Sequence, residues 1–274
     1  MKKILLSFDG NHFSETAFAF ARNMNAYEPI LLTGVFLPPA DFTGAQSYAY
    51  IGSAAYLIPI VENRDPELTQ ESIDKFEDQC LKNGIEFRVH LDNSSSALQE
   101  LKKESRFADL MIIGSERFYE NLGQETPNEY LKDALHDTEC PVIVTPENVV
   151  FPESVVLAYD GSKSSVYAIK SFAALFPQLC HKKTILLYAE HTPGEGIPQE
   201  KLIRELAANH FSNISFHEMD ADPKKYLNTW LSDIENPILV SGAYGRSGLS
   251  QIFRQSFITN VMANHSVPVF IAHC

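Results

Sequence analysis

With 274 residues, 45% of them apolar and 21% charged, the chain has the composition of an ordinary globular protein and is long enough for two domains of common size. A formal charge of −13, from 35 acids against 22 bases, opposes nonspecific attraction to DNA, RNA or anionic lipid. No run approaches the roughly 18 to 20 uninterrupted apolar residues of a bilayer crossing, so neither a nucleic acid nor a membrane is expected as partner.

The chain opens MKKILLSFDG. Two lysines precede a short apolar run, but Asp9 interrupts it before any small-residue cleavage site. A secretory leader is therefore not expected, and the run predicts a buried strand over 3–8. A helix near 13–25 and a strand at 30–36 follow. The stretch 37–65 has no clean helical or alternating period; its Phe42, Tyr48, Tyr50 and Tyr56 stand among small residues. It reads as a packed surface loop, with a cover over the first copy's crevice or an interface as the functional alternatives. Beyond it come a helix near 66–83, a strand at 85–91, a helix near 95–106, a strand at 109–114, a helix near 126–138 and a strand at 141–145. Prolines at both ends of 146–153 mark a linker. The same alternation then resumes, with strands near 154–159, 183–189, 214–218, 237–241 and 267–272. Its helices are expected near 163–176, 198–211, 222–234 and 248–264. Ser162 is placed to cap the first of these.

The two series are copies of one another. KILLSFDG at 3–10 matches SVVLAYDG at 154–161, DLMIIGS at 109–115 matches NPILVSG at 236–242, and PVIVTP at 141–146 matches PVFIAH at 268–273. The later matches are closer together by roughly two dozen residues, which is the excess of 37–65 over the short HTPGEG at 191–196. Apolar runs without alternation are what strands look like when helices cover both faces of a parallel sheet. The alternation of strand and helix therefore predicts two tandem α/β domains, 1–146 and 153–274, each a doubly wound parallel sheet.

In such sheets ligands collect beyond the carboxyl ends of the strands where the winding reverses. Two strand ends carry suitable residues in the second copy. Asp160-Gly161 offers a carboxylate and a tight turn into a helix, although the same pair serves as an ordinary turn or cap. SGAYGRSGLSQIFRQSF at 241–257 offers glycines, Arg246 and Arg254 ahead of a helix, a setting in which backbone N–H groups can approach phosphate. The plain alternative is a glycine-rich connection with solvated arginines. The four cysteines, Cys80, Cys140, Cys180 and Cys274, show no CxxC and fit reduced thiols of a cytoplasmic protein. The scattered histidines, His265 and His273 included, have no zinc spacing, so no metal site is expected. There is no G-x-S-x-G elbow and no P-loop, hence no evident nucleophile.

Gly242-x2-Gly245-x9-Gln255-Ser256 resembles G-x2-G-x9-G-[S/T], the nucleotide-binding signature of the universal stress protein family. The strand ending in Asp160 and the closing HSVPVFIAH with Pro268 resemble other marks of that family. The likeness covers essentially the whole chain as two tandem UspA-like copies. It implies five-stranded parallel sheets of order 3-2-1-4-5, the adenine nucleotide alpha hydrolase-like fold. It further implies that Asp160 and the backbone around Ala189 contact adenosine, that Gly242 and Gly245 contact ribose and the first phosphates, and that Ser256 with the Phe257 amide contacts the outer phosphates. Family dimers pair their last strands, so 141–145 and 267–272 are expected side by side in an intramolecular pseudo-dimer; a further homodimer has no specific support in the sequence. Two departures stand out. Gln255 occupies the place of the third glycine, where it either crowds phosphate or donates a hydrogen bond to it. In the first copy, Arg117 and Pro127 replace the second and third glycines after Gly114, so Asp9 and Val35, taken as the counterparts of Asp160 and Ala189, are expected to persist as structure only.

The resemblance implies a cytoplasmic stress-response protein that binds an adenine nucleotide, ATP with any Mg²⁺ held through its phosphates, in the second copy. Such a protein would work through regulation or an as yet unnamed protein partner, with slow ATP hydrolysis at most. The rival readings are a nucleotide-independent interaction module and, more distantly, a small-metabolite hydrolase.

Overall fold

Runs of branched and aromatic residues make the strands of this protein, and polar-faced segments of helical length join them. A computed structural model describes residues 1–8, 13–36, 40–41, 47–51, 54–58, 60–61, 66–91, 97–114, 138–147, 150–189, 196–219, 223–242 and 267–272. In chain order these form β1 (Lys2–Phe8), α1 (Glu15–Tyr27), β2 (Ile30–Phe36), β3 (Ala40–Asp41), β4 (Ser47–Ile51), β5 (Ala54–Ile58), β6 (Ile60–Val61), α2 (Pro66–Lys82), β7 (Glu86–Leu91), α3 (Ala97–Ser105), β8 (Leu110–Gly114) and β9 (Val142–Thr145). The second half contributes β10 (Ser154–Tyr159), α4 (Lys163–Leu175), β11 (Lys183–Ala189), α5 (Glu200–His210), β12 (Ile214–Met219), α6 (Pro223–Ser232), β13 (Pro237–Gly242) and β14 (Val269–Ala272). The helices expected near 126–138 and 248–264 lie outside the described residues.

Ten strands form one sheet in the order β12-β11-β10-β13-β14-β9-β8-β1-β2-β7. Read from each outer edge inward, both halves give 3-2-1-4-5, the expected order. Every neighbour is parallel except at the centre, where β14 and β9 run antiparallel with Phe270 opposite Ile143. The expected adjacency of the two last strands is therefore present, and it leaves only β7 and β12 as edges of this sheet.

Both faces of the sheet are covered, which is why its central strands are mostly apolar and show no alternation of buried and exposed positions. One face carries Phe8, Phe36, Tyr159 and Phe270 beneath α1, α2, α4 and α5; residues of both halves share this core. The opposite face carries Leu5, Met111, Val144, Ala158 and Leu239, with Leu101 of α3 and Leu227 and Leu231 of α6 packed onto it. The edge strands differ: β7 and β12 alternate between half-buried and exposed positions along most of their length, as strands with one open side do.

Two features depart from the sequence reading. The stretch 37–65 is not simply a loop, because β4 pairs antiparallel with β5 and β3 with β6. The two-residue gap between Ile51 and Ala54 holds Gly-Ser, a hairpin signal hidden by the weak alternation around it. The linker is also more than a spacer. Phe151 packs against Phe20 at 4.9 Å and Tyr27 at 5.8 Å between ring centroids, and Phe20 meets Phe176 of the second half edge-on at 6.3 Å. These rings tie the linker to both halves.

Candidate functional site

β10 has β11 on one side and β13 on the other. The chain reaches β11 through α4 but arrives at β13 from the far edge through α6, so the winding reverses between β10 and β13. Their carboxyl ends open the crevice that such a reversal creates. β10 ends at Tyr159, and Asp160 follows at its mouth, half-buried. One carboxylate oxygen of Asp160 accepts the Ser162 N–H at 2.9 Å, which folds the turn back toward the strand. The Ser162 hydroxyl in turn accepts the Ser165 N–H at 3.1 Å and caps α4. The second oxygen of Asp160 accepts no bond among the described residues. Gly161 takes φ +75, a left-handed conformation that a side chain would strain.

A wall that sequence reasoning missed closes this turn. Pro198 Cβ lies 2.7 Å from where a Cβ on Gly161 would stand. The Tyr159 hydroxyl donates to the Pro198 carbonyl at 2.8 Å. Burial, followed by the nearby Asp160 carboxylate and Tyr188, raises the pKa of this phenol above its ordinary value, so it stays a donor at neutral pH. The next residue, Gln199, takes φ 48 ahead of α5 and offers no side-chain cap to that helix. Pro198 and Gln199 flank no recognisable motif, and only the fold brings them to Asp160.

Gly242 closes β13 at the same end of the sheet. A Cβ built there would stand 2.5 Å from the Ser164 carbonyl carbon and 2.6 Å from the Ser165 nitrogen. The space of the missing side chain is therefore filled by the first turn of α4. Ala189 ends β11 opposite Met219, one strand away from Asp160 on the other side. The fold thus brings Asp160, Ala189 and Gly242 to neighbouring strand ends. Gly245, Gln255, Ser256 and Phe257 lie outside the described residues, as do Arg246 and Arg254.

In the first half, Gly114 ends β8 opposite Thr145, while Asp9, Arg117 and Pro127 lie outside the described residues. The registers correct one pairing. Phe8 lies opposite Phe36 just as Tyr159 lies opposite Tyr188, so Val35 is not the counterpart of Ala189. Val35 instead matches Leu187, and both are buried in the same core layer. Hydrophobic runs carry no register mark of their own, so only the pairing of the strands fixes this correspondence.

Among the described residues, no three His, Cys, Asp or Glu side chains converge as a metal site. No helix among them is long and apolar enough to cross a membrane.

No protein-family model and no curated protein matches the sequence. Solved structures do. A universal stress protein from Archaeoglobus fulgidus superposes with a TM-score of 0.67 at 17% identity, covering 99% of this chain and 96% of its own. A Pseudomonas aeruginosa chain provisionally assigned as a universal stress protein superposes at 0.56 and 12% identity, covering 100% and 93%. A functionally unknown protein from the same species reaches 0.55 at 12% identity, covering 100% and 92%. The chain shares the fold of universal stress proteins along its whole length.

Proposed function

We propose that this chain is a stress-response protein of the universal stress type, built of two domains, 1–146 and 153–274, and that the second binds an adenine nucleotide. The observation that carries the reading is the convergence of Asp160, the end of β11 and Gly242 where the winding reverses. The Asp160 oxygen that has no partner among the described residues is available to accept a hydrogen bond from an adenosine N–H or O–H. Gly242 holds the first turn of α4 close to β13, so the positive end of that helix faces the crevice. By resemblance, Gly245, Gln255, Ser256 and Phe257 would line the phosphate end, and any Mg²⁺ would be held through phosphate oxygens and water. ATP is the nucleotide that this set would accommodate. With no evident nucleophile, the protein acts by regulation or partner binding in the cytoplasm, with slow turnover at most.

Calorimetric titration with adenosine, AMP and ATP tests this. Asp160→Asn retains the oxygen that accepts the Ser162 N–H while removing the charge. It should weaken all three ligands alike, by about tenfold for one charge-assisted hydrogen bond, without lowering the melting temperature. Gln255→Gly should tighten ATP more than adenosine. Failure of all three ligands to bind both the native protein and Gln255→Gly would remove the nucleotide reading.

The packing role of Gly242 favours a second reading. A glycine needed for helix contact persists whether or not a ligand is bound, as a nucleotide-independent interaction module would require. That module is what remains if the titrations fail.

A further inference from the structure

Residues 42–61 contain no Asp, Glu, Lys, Arg or His, in a chain of which 21% is charged. The matching connection of the second half, HTPGEG at 191–196, is far shorter. Within this stretch β4 and β5 form a two-stranded sheet of their own, and among the described residues no other strand lies beside either. Alternation along the ribbon puts Tyr48, Tyr50 and Leu57 on one face and Ile51, Tyr56 and Ile58 on the other, so neither face is polar. A two-stranded ribbon of this kind is marginal in water by itself.

The register also fixes which backbone groups are open. A two-residue loop makes Ile51 and Ala54 a hydrogen-bonded pair, and alternation makes Ala49 and Tyr56 another. The N–H and C=O groups of Tyr48 and Tyr50 therefore point away from β5. Proteins blunt such edges with charge or proline. β7 carries Glu86 and Arg88, β12 carries Glu218, and Pro59 follows β5 with no N–H to offer. β4, SYAYI, has neither device.

We infer that β4 pairs antiparallel with β4 of a second copy of this chain, about a two-fold axis at Ala49, to give a four-stranded sheet β5-β4-β4-β5. The strand is complementary to itself in this register. Tyr48 stands opposite the partner's Tyr50 on both sides of the axis, so every open N–H meets an open C=O and aromatic residues face one another. The uncharged stretch is also where two copies, each of net charge −13, approach with least repulsion. The pairing uses no residue of the second half's crevice, so it stands apart from the nucleotide reading.

Sedimentation velocity of the full-length protein should show a dimer that dissociates on dilution. Tyr48→Glu/Tyr50→Glu sets like charges opposite one another and should leave only monomer. Tyr48→Lys/Tyr50→Glu sets opposite charges at the same places and should keep the dimer, which separates lost pairing from a damaged ribbon. Cys80, Cys140 and Cys180 are buried, so single cysteines can be read in a Cys274→Ser background. Ala49→Cys should cross-link under mild oxidation, because opposed residues of a non-hydrogen-bonded pair have Cα atoms about 4.5 Å apart, within disulfide reach. Ala55→Cys should not, since its two copies lie three strand spacings of about 4.8 Å apart. A native protein that stays monomeric, a dimer that survives the double glutamate variant, loss of the dimer in both charged variants, or a failure of Ala49→Cys to cross-link would each overturn the inference. So would a monomer that binds phosphatidylcholine vesicles and loses that binding in the double glutamate variant.

Discussion

Gly161 and Gly242 border one crevice for different physical reasons. At Gly161 the constraint is twofold, a left-handed backbone and Pro198 at 2.7 Å, so Gly161→Ala should lower stability by about 1–3 kcal/mol in urea unfolding. At Gly242 the obstacle is the backbone of α4 itself, which cannot rotate aside as a side chain can. Gly242→Ala should therefore lower the melting temperature as well as any nucleotide affinity; lost affinity with an unchanged melting temperature would show that the methyl meets ligand and not helix. The thiols follow a third rule. Burial pushes Cys80 and Cys140 up to about 12 and Cys180 up to about 11, with small additions from nearby carboxylates for the first two. Folded-state values above the ordinary 9.0 mean that the native chain keeps protons which the unfolded chain releases. The stability from these thiols is whole below about pH 9 and should fall as the pH rises toward 11–12. In a Cys274→Ser background, alkylation of the native protein at pH 8 should be slow and should speed up sharply on adding urea.

At the scale of elements, the centre of the sheet is a join between two fifth strands. Phe270 of β14 is fully buried, opposes Ile143 of β9 and meets Phe172 and Phe176 of α4 edge-on at 5.3 and 6.1 Å. Phe270→Ala should cost about 3–5 kcal/mol, measured by urea unfolding, because these rings leave little room for the cavity to collapse. The elements most legible in advance were the buried strands: β2, β10 and β11 match their expected bounds residue for residue. Continuous apolar runs bounded by polar residues leave little freedom there. The hairpin of β4 and β5 was not legible, since the sequences SYAYI and AAYLI are each five residues long and show no clean alternation of apolar and polar types.

For the whole molecule, joining β9 to β14 makes one sheet and one shared core layer out of two similar halves. Cutting the chain in the linker exposes a strand edge on each side and removes Phe20 from Phe176. Residues 1–147 and 150–274 expressed separately should therefore self-associate, and mixing them should yield a 1:1 complex in size-exclusion chromatography. Two monomeric, independently folded halves would show that the join contributes little. In solution scattering the intact chain should behave as one body, since Phe151 holds the linker against α1.

Composition, apolar periodicity and the internal repeat were enough by themselves to determine that this is an α/β chain of two similar halves, and to place Asp160 and Gly242 at strand ends. These are local properties: burial on both faces demands apolar runs, and a turn into a capped helix demands Asp-Gly-Ser. Only the tertiary structure decided what those residues touch. That Gly242 faces the Ser164 backbone, that Pro198 walls the Asp160 turn, that Val35 answers to Leu187 and not to Ala189, and that Trp230 and His217 stack beside an edge strand all depend on strand order and register. Residues far apart in sequence meet across parallel strands through crossover connections, and no local pattern encodes which of them will face one another.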